Sequence, residues 1–295
     1  MKNHRWTDRE GFTLVEVIVV MAIIATLVGI MIPFIYRVWE STEIDTTRER
    51  MADLKKAMVG DPKLIQNGVR THYGFIGDIG ALPTTSNLQE LVQQPAWVTN
   101  NWNGPYLPRG FNMNDYKTDA WGTSISYAST GVAGEMMELR SLGADRTTGT
   151  PDDIVVKIFT NEVFPTQNLQ GALNITFAVA PPSSLSYSAK ICARYRDGTG
   201  NLITSPACVC YSPVSIPGDS SKRYFSVPFN VNIGVNVPIG PVYFSSALYS
   251  ALGCPDPNLI AGQTVGGGPN NSAVIVNVND RVSSIFADLL MQSIP

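Results

Sequence analysis

An apolar run of about 25 residues, at positions 12–36, is the feature that most constrains this chain. As a helix rising about 1.5 Å per residue it would reach roughly 37 Å, against a bilayer hydrocarbon core of about 30 Å. The residues before it are polar and charged and end in Gly11. A secretory signal has its small-residue cleavage site after the apolar segment, whereas here the small residue precedes it. The run predicts a membrane-spanning helix, and a simple signal anchor is the plainer alternative.

A single carboxylate, Glu16, lies inside this apolar run. A charged side chain within a bilayer costs several kcal/mol unless it finds a partner. Cleavage after Gly11 would create a new α-amine on Phe12, one helical turn from Glu16, and that amine could pair with Glu16 of the same or a neighbouring chain. Glu16 therefore favours a role in subunit assembly over a simple anchor.

The residues around Gly11 resemble the type IV prepilin signature, in which a short basic leader ends in Gly and Phe-Thr-Leu follows, with Glu at the fifth mature position. The resemblance implies that residues 1–11 are a leader, and that a prepilin peptidase cleaves between Gly11 and Phe12 and methylates the Phe12 amine. It also implies that Pro33 locally loosens the helix in a filament, and proline does remove a backbone donor and kink a helix.

Beyond Pro33 the sequence stays compatible with a helix until Gly60 and Pro62. Apolar residues follow a rough stripe among the charges: Val38, Ile44, Met51, Leu54 and Met58. We therefore predict one long helix over residues 12–60, transmembrane in its first half and packed amphipathically on a globular head in its second half. A solvated linker helix is the alternative, but it does not explain the stripe.

Residues 61–160 read as loops, short helices and a few strands, which predicts a small α+β head. Ordered segments of this region are similar to the major pseudopilin (G-type) of type II secretion systems: LPTT, LQELV, NWNGPYL, DAWGTSISY, MELRSLGAD and PDDI. With the prepilin signature, the resemblance covers about residues 12–160. It implies a pilin-like α+β fold.

The loop SLGADRTTGTPDDI sets Asp145, Asp152 and Asp153 close together. Close-set carboxylates with backbone carbonyls are what Ca²⁺ requires, but an ordinary Asp-rich turn whose side chains cap backbone amides has the same composition. In the pseudopilin family the corresponding loop holds a structural Ca²⁺. The resemblance thus implies calcium ligands at Asp145, Asp152 and Asp153, together with the Leu142 carbonyl.

About 135 residues, 161–295, lie beyond the resemblance. β-rich runs separated by Pro, Gly, Asn and Ser clusters recur there, which predicts an all-β domain of the immunoglobulin-like sandwich kind. The cysteines all lie in this region: Cys192, Cys208, Cys210 and Cys254. In an exported chain they are expected to form two disulfides, with three pairings open, and a four-cysteine zinc site is the alternative.

Composition argues against two functional classes. The formal net charge of −3 and the charged fraction of 15% provide no basic field for nucleic acid. Only His72 remains after the leader, and its surroundings carry no nucleophile motif. No Walker loop or dinucleotide fingerprint is present, so the chain is not expected to be an enzyme.

The resemblance to the major pseudopilin implies that the chain is a structural subunit of a type II secretion pseudopilus. The expected partners are copies of itself in a helical filament, prepilin peptidase, an inner-membrane assembly platform and minor pseudopilins. The chain would cross the inner membrane once, with its C-terminal part in the periplasm. The alternatives are a surface type IV pilin with a C-terminal adhesive or display domain, and a membrane-anchored binding module that does not polymerise.

Overall fold

A computed structural model describes residues 13–84, 88–107, 116–204, 207–255, 258–262, 274–280 and 284–294. Its first element is α1, Leu14–Val59, a single helix of 46 residues that continues through Pro33. The helix begins after Thr13, whose side-chain oxygen accepts a hydrogen bond from the Glu16 amide at 3.2 Å. It ends at Gly60, which has a φ of 81°. The predicted long N-terminal helix is confirmed.

The second half of α1 packs against the head. Five of its side chains are at most 2% exposed: Thr47, Met51, Leu54, Ala57 and Met58. Val38, the first residue of the predicted apolar stripe, is instead 47% exposed. The stripe is therefore a packing face only from about residue 44 onward, where the helix meets the rest of the chain.

The head surrounds this face with short elements. After α1 come β1 (Ile65–Gln66), β2 (Val69–Arg70), α2 (Gly74–Ile79), a 3₁₀ helix (Gln89–Leu91), β3 (Ser126–Ser129), β4 (Glu135–Ser141), β5 (Ile154–Phe159) and α3 (Thr160–Val163). Strands β3, β4 and β5 form an antiparallel sheet in that order. The α+β prediction for this region is confirmed.

The remaining strands form two sheets. They are β6 (Asn168–Phe177), β7 (Leu185–Arg194), β8 (Ala207–Ile216), β9 (Tyr224–Asn232), β10 (Gly240–Tyr249), β11 (Leu259–Gly262), β12 (Val274–Val278), β13 (Ile285–Phe286) and β14 (Leu289–Ile294). One sheet runs β8-β7-β10, with β11 and β12 sharing the other side of β10. The second has β6 between β9 on one side and β13 and β14 on the other.

The predicted all-β domain is confirmed, and its two sheets enclose one apolar core that includes Ile191, Phe225 and Phe244. In an immunoglobulin sandwich the first and second strands share a sheet. Here β6 lies in the sheet opposite β7, and the last strands run parallel to β6. The architecture is thus that of a sandwich with its own strand connectivity.

The cysteines form disulfides in pairs, as predicted. Cys192 lies directly opposite Cys208 across the β7–β8 ladder and is bonded to it. Cys210 is bonded to Cys254, in the loop after β10. Cys254 is 8% exposed and forms a small cluster with Ala247 and Tyr249, so the second disulfide fastens this loop over the sheet.

One end of the sandwich rests on the head. The Ile79 carbonyl, at the end of α2, accepts hydrogen bonds from the amides of Gly198 (3.0 Å) and Gly200 (3.2 Å) in the β7–β8 loop. Gly80 approaches the same loop so closely that a Cβ there would lie 2.2 Å from the Arg196 carbonyl oxygen. The connection into β10 places Ile239, 1% exposed, in the hydrophobic core of the head.

Candidate functional site: the exposed helix and the Asp-rich loop

The first half of α1 projects from the head with its apolar side chains in solvent. Leu14 is 76% exposed and Ile30 is 73% exposed, and the large apolar side chains between them are exposed as well. Within the part of the chain that the structure describes, α1 is the one helix long and apolar enough to cross a membrane. An apolar surface of this extent marks a membrane or protein interface.

Glu16 lies in the first turn of this surface. Its backbone amide is bonded to Thr13, and its side chain is exposed and forms no salt bridge with any described residue. The helix dipole favours a carboxylate at this end. Gly11 and Phe12, the predicted processing residues, lie outside the described residues, so the pairing of the Phe12 amine with Glu16 stays a prediction.

The head is fixed to α1 by polar contacts that sequence reasoning missed. Arg50 Nη1 donates to the Thr118 carbonyl at 2.9 Å and to the Asp119 carbonyl at 3.2 Å. The Asp119 side chain, in a residue 2% exposed, accepts from Ser141 Oγ at 2.7 Å. Thr47 Oγ1 accepts the Ala120 amide at 3.1 Å. These contacts fix the orientation of the head on the helix that carries it.

The Asp-rich loop brings two of its three carboxylates together. Asp152 Oδ2 accepts the Asp145 amide at 3.0 Å, and that backbone hydrogen bond is the main reason why the pKa of Asp152 is lowered. Thr150 Oγ1 lies 2.7 Å from Asp152 Oδ1 and 3.3 Å from Asp145 Oδ1. This arrangement is that of a polar turn held by side-chain to backbone hydrogen bonds.

Asp153 points to a different partner. Its Oδ2 accepts from Arg140 Nη1 at 2.8 Å and from the Gly149 amide of the loop at 2.9 Å, while its buried Oδ1 has no hydrogen-bond partner. Among the described residues, no three His, Cys, Asp or Glu side chains converge closely enough to hold a metal ion. The oxygen donors fit calcium in kind, and the unpartnered Asp153 oxygen is one that a cation would satisfy. Calcium binding, with the Leu142 carbonyl as a further ligand, stays a prediction.

His72 makes a structural contact. Its Nδ1 accepts the Asp61 amide at 2.9 Å, just beyond the end of α1. A histidine used in this way ties the end of the helix to the segment before α2.

Comparison with known proteins gives two family models over the N-terminal half. The model for the type II secretion system (T2SS) protein G matches residues 42–157, and that for the prokaryotic N-terminal methylation motif matches residues 6–32. The second model spans the predicted cleavage site and the start of α1. The first spans the second half of α1, the head sheet and the Asp-rich loop.

Two curated relatives carry the same name, type II secretion system core protein G. The one from Escherichia coli (strain K12) is 31% identical over 156 residues, which cover 51% of this chain and 92% of the relative. The one from Pseudomonas aeruginosa is 26% identical over 151 residues, covering 50% of this chain and 91% of the relative. No solved structure matches. About half of this chain thus has no counterpart in either relative. Over the other half, the N-terminal one, the chain belongs to the type II secretion system protein G family.

Proposed function

We propose that this chain is a structural subunit of a type II secretion pseudopilus. The observation that carries the proposal is that the two halves of α1 differ. The first half is apolar and exposed, while the second half packs into the core of the head. Such a helix is stable in a bilayer before assembly and against other copies of the same helix afterwards. Its work is mechanical, so no catalytic residue is assigned.

The proposal includes how the chain is processed and where it is located in the cell. Prepilin peptidase removes residues 1–11 and methylates Phe12, leaving a subunit that crosses the inner membrane once with head and sandwich in the periplasm. An inner-membrane assembly platform and minor pseudopilins are the expected partners. Calcium bound at Asp145, Asp152 and Asp153 would stabilise the loop that follows β4.

Glu16 provides the test. A Glu16→Ala variant is expected to be cleaved and inserted in the membrane like the wild type but to be missing from assembled filaments, because it cannot pair with the Phe12 amine. Glu40→Ala, which removes an exposed carboxylate from the same helix, is the matched control and should assemble. Filament fractions would be compared by immunoblot after crosslinking. Normal incorporation of Glu16→Ala would sink the pairing account.

The sandwich domain, which contains two disulfides, favours a second candidate function. In that function the chain is a surface type IV pilin that displays this domain. Shearing cells that express the protein at native level separates the two functions. Signal that stays with the envelope supports the pseudopilus, and abundant mature protein in sheared surface filaments supports the display function. A membrane-anchored module that never polymerises would give envelope signal with no crosslinked filaments and no effect of Glu16→Ala.

A further inference from the structure

A polar cavity of about 260 Å³ lies where the head meets the sandwich. It is lined by Thr71, His72, Tyr73, Gly74, Gly77, Asp78, Asn103, Pro105, Tyr106 and Pro241, the last of which belongs to β10. Ligand sites occur preferentially at such domain junctions. The assembly function proposed above gives none of these lining residues a role, so the cavity is considered as a separate site.

Asp78 is the one carboxylate among the lining residues, which include no lysine or arginine. Its Oδ2 accepts a hydrogen bond from Tyr106 Oη at 2.8 Å. No salt bridge between described residues includes Asp78. Burial raises the pKa of this carboxyl, and that rise is opposed by hydrogen bonds from the Tyr106 and Asn103 side chains and by the more distant charges of Arg196 and His72. The carboxylate is thus half-buried, with hydrogen-bond donors in contact, and the charge of Arg196 acts on it from beyond salt-bridge distance.

The other lining groups are already engaged elsewhere. Tyr73 Oη donates to Asn279 Oδ1 at 3.0 Å, and His72 Nδ1 accepts the Asp61 amide at 2.9 Å. Tyr106 Oη accepts the Asn103 amide at 3.2 Å in addition to its bond to Asp78. What the cavity still offers a ligand is therefore a negative carboxylate between the rings of tyrosines and prolines. That combination suits a cation on a short apolar stem.

We propose that this cavity binds an alkylammonium group, with Asp78 as its countercharge. The volume suits a ligand the size of one amino-acid side chain. The ammonium places a cation in direct contact with the carboxylate, and its methylene stem packs against Pro105 and Pro241. The head supplies the polar groups of the site and the sandwich closes it with Pro241, and the site does not depend on whether the chain assembles into a filament.

The test uses the full chain in a nonionic detergent and n-butylamine as the probe, with binding followed by saturation-transfer NMR. We expect saturable binding of n-butylamine and about tenfold weaker binding of the neutral n-butanol, since a charge-assisted hydrogen bond is lost. The Asp78→Asn variant should bind n-butylamine about tenfold more weakly, because it loses the same charge-assisted hydrogen bond. Asp45→Asn, which removes an exposed carboxylate from α1, should change nothing.

A second variant leaves Asp78 intact. Thr71→Tyr places a larger side chain at an exposed residue of the cavity lining and should abolish binding of n-butylamine by obstructing its entry. Equal binding of n-butanol, or of n-butylamine to Asp78→Asn or Thr71→Tyr, would overturn the proposal. A further probe, N-acetyl-lysine N-methylamide, identifies the source of the ammonium group. Its binding would assign the site to a lysine side chain of a protein partner, and binding of n-butylamine alone would assign it to a free amine.

Discussion

Arg70 joins three parts of the molecule within one side chain. Its Nη1 contacts Asp280 Oδ1 at 2.8 Å in the sandwich, and its Nη2 contacts the Val59 carbonyl at 2.5 Å at the end of α1. Its guanidinium also lies over the Tyr73 ring, 5.1 Å from the centroid. Arg70 is only 5% exposed, so each of these contacts is made away from solvent. Arginine suits this position because its planar group donates in several directions at once.

Removing this side chain should be costly. Arg70→Ala leaves Asp280, 14% exposed, without its cation, and breaking a buried pair by removing one partner costs about 3–5 kcal/mol. We expect a loss of that size in the free energy of unfolding, measured by urea denaturation of the full chain in detergent. The matched control is Arg48→Ala, because Arg48 and Asp45 are 65% and 73% exposed and 3.7 Å apart. That variant should lose about 0.5 kcal/mol or less, and equal losses would contradict the assignment.

The Asp-rich loop gives a second residue-scale prediction. If calcium binds there, adding it should raise the melting temperature of the wild-type chain, because a ligand that binds only the folded state stabilises it. Asp152→Asn should melt at the same temperature with calcium or chelator. Asp219→Asn, in an Asx-type turn of the sandwich with Ser221, should keep the calcium response. If the melting temperature of the wild-type chain is the same with calcium and with chelator, the calcium prediction is wrong.

Sequence reasoning found the residues whose chemistry is local and missed those whose partners are distant. Glu16 and the Asp-rich loop stand out because a charge in an apolar run and clustered carboxylates are visible within a few residues. Arg70 and Asp280 are 210 positions apart, and neither has an unusual neighbourhood in sequence. Their pairing depends on how the sandwich docks, which no local pattern encodes.

At the scale of elements, strands that show a local sequence pattern can be predicted, and strands that depend on a distant partner cannot. Runs rich in β-branched and aromatic residues, such as those of β9 and β12, are recognisable as strands from composition and turn signals. The short β13 and the last strand, β14, are not. Both pair in parallel with β6, more than a hundred residues earlier, and that pairing rather than intrinsic preference makes them strands.

Ile239 shows how one element can belong to two domains. It leads into β10, its amide donates to the Val163 carbonyl at 2.9 Å, and its side chain is 1% exposed in the core of the head. Ile239→Ala should cost about 2–5 kcal/mol in the free energy of unfolding, the usual cost of such a cavity. Ile275→Ala, on β12 and 57% exposed, is the control and should cost about 0.5 kcal/mol or less. The comparison would fail if the two variants were equally stable.

At the scale of the whole molecule, the sandwich is fastened to the head rather than tethered by a linker. The contacts come from the β7–β8 loop, from Ile239 before β10, and from Asn279 and Asp280 after β12. These segments are far apart in sequence and meet at one end of the sandwich. A domain held at several separate points cannot swing about one hinge, so every subunit would present its sandwich in the same orientation relative to α1.

This arrangement predicts that head and sandwich unfold together. Native-state hydrogen exchange, read by mass spectrometry on peptides from β4 and from β7, should give one opening free energy for both, within about 0.5 kcal/mol. An Arg70→Ala, Ile239→Ala double variant loses two of the shared contacts and keeps those of the β7–β8 loop, and in this weakened junction the two peptides should open at different urea concentrations. The sandwich should then be the more stable unit, since its two disulfides restrict its unfolded chain while the head has none among its described residues. Separate opening in the wild type would mean that the junction is only a surface contact, and the fixed orientation of the sandwich on the helix would have to be abandoned.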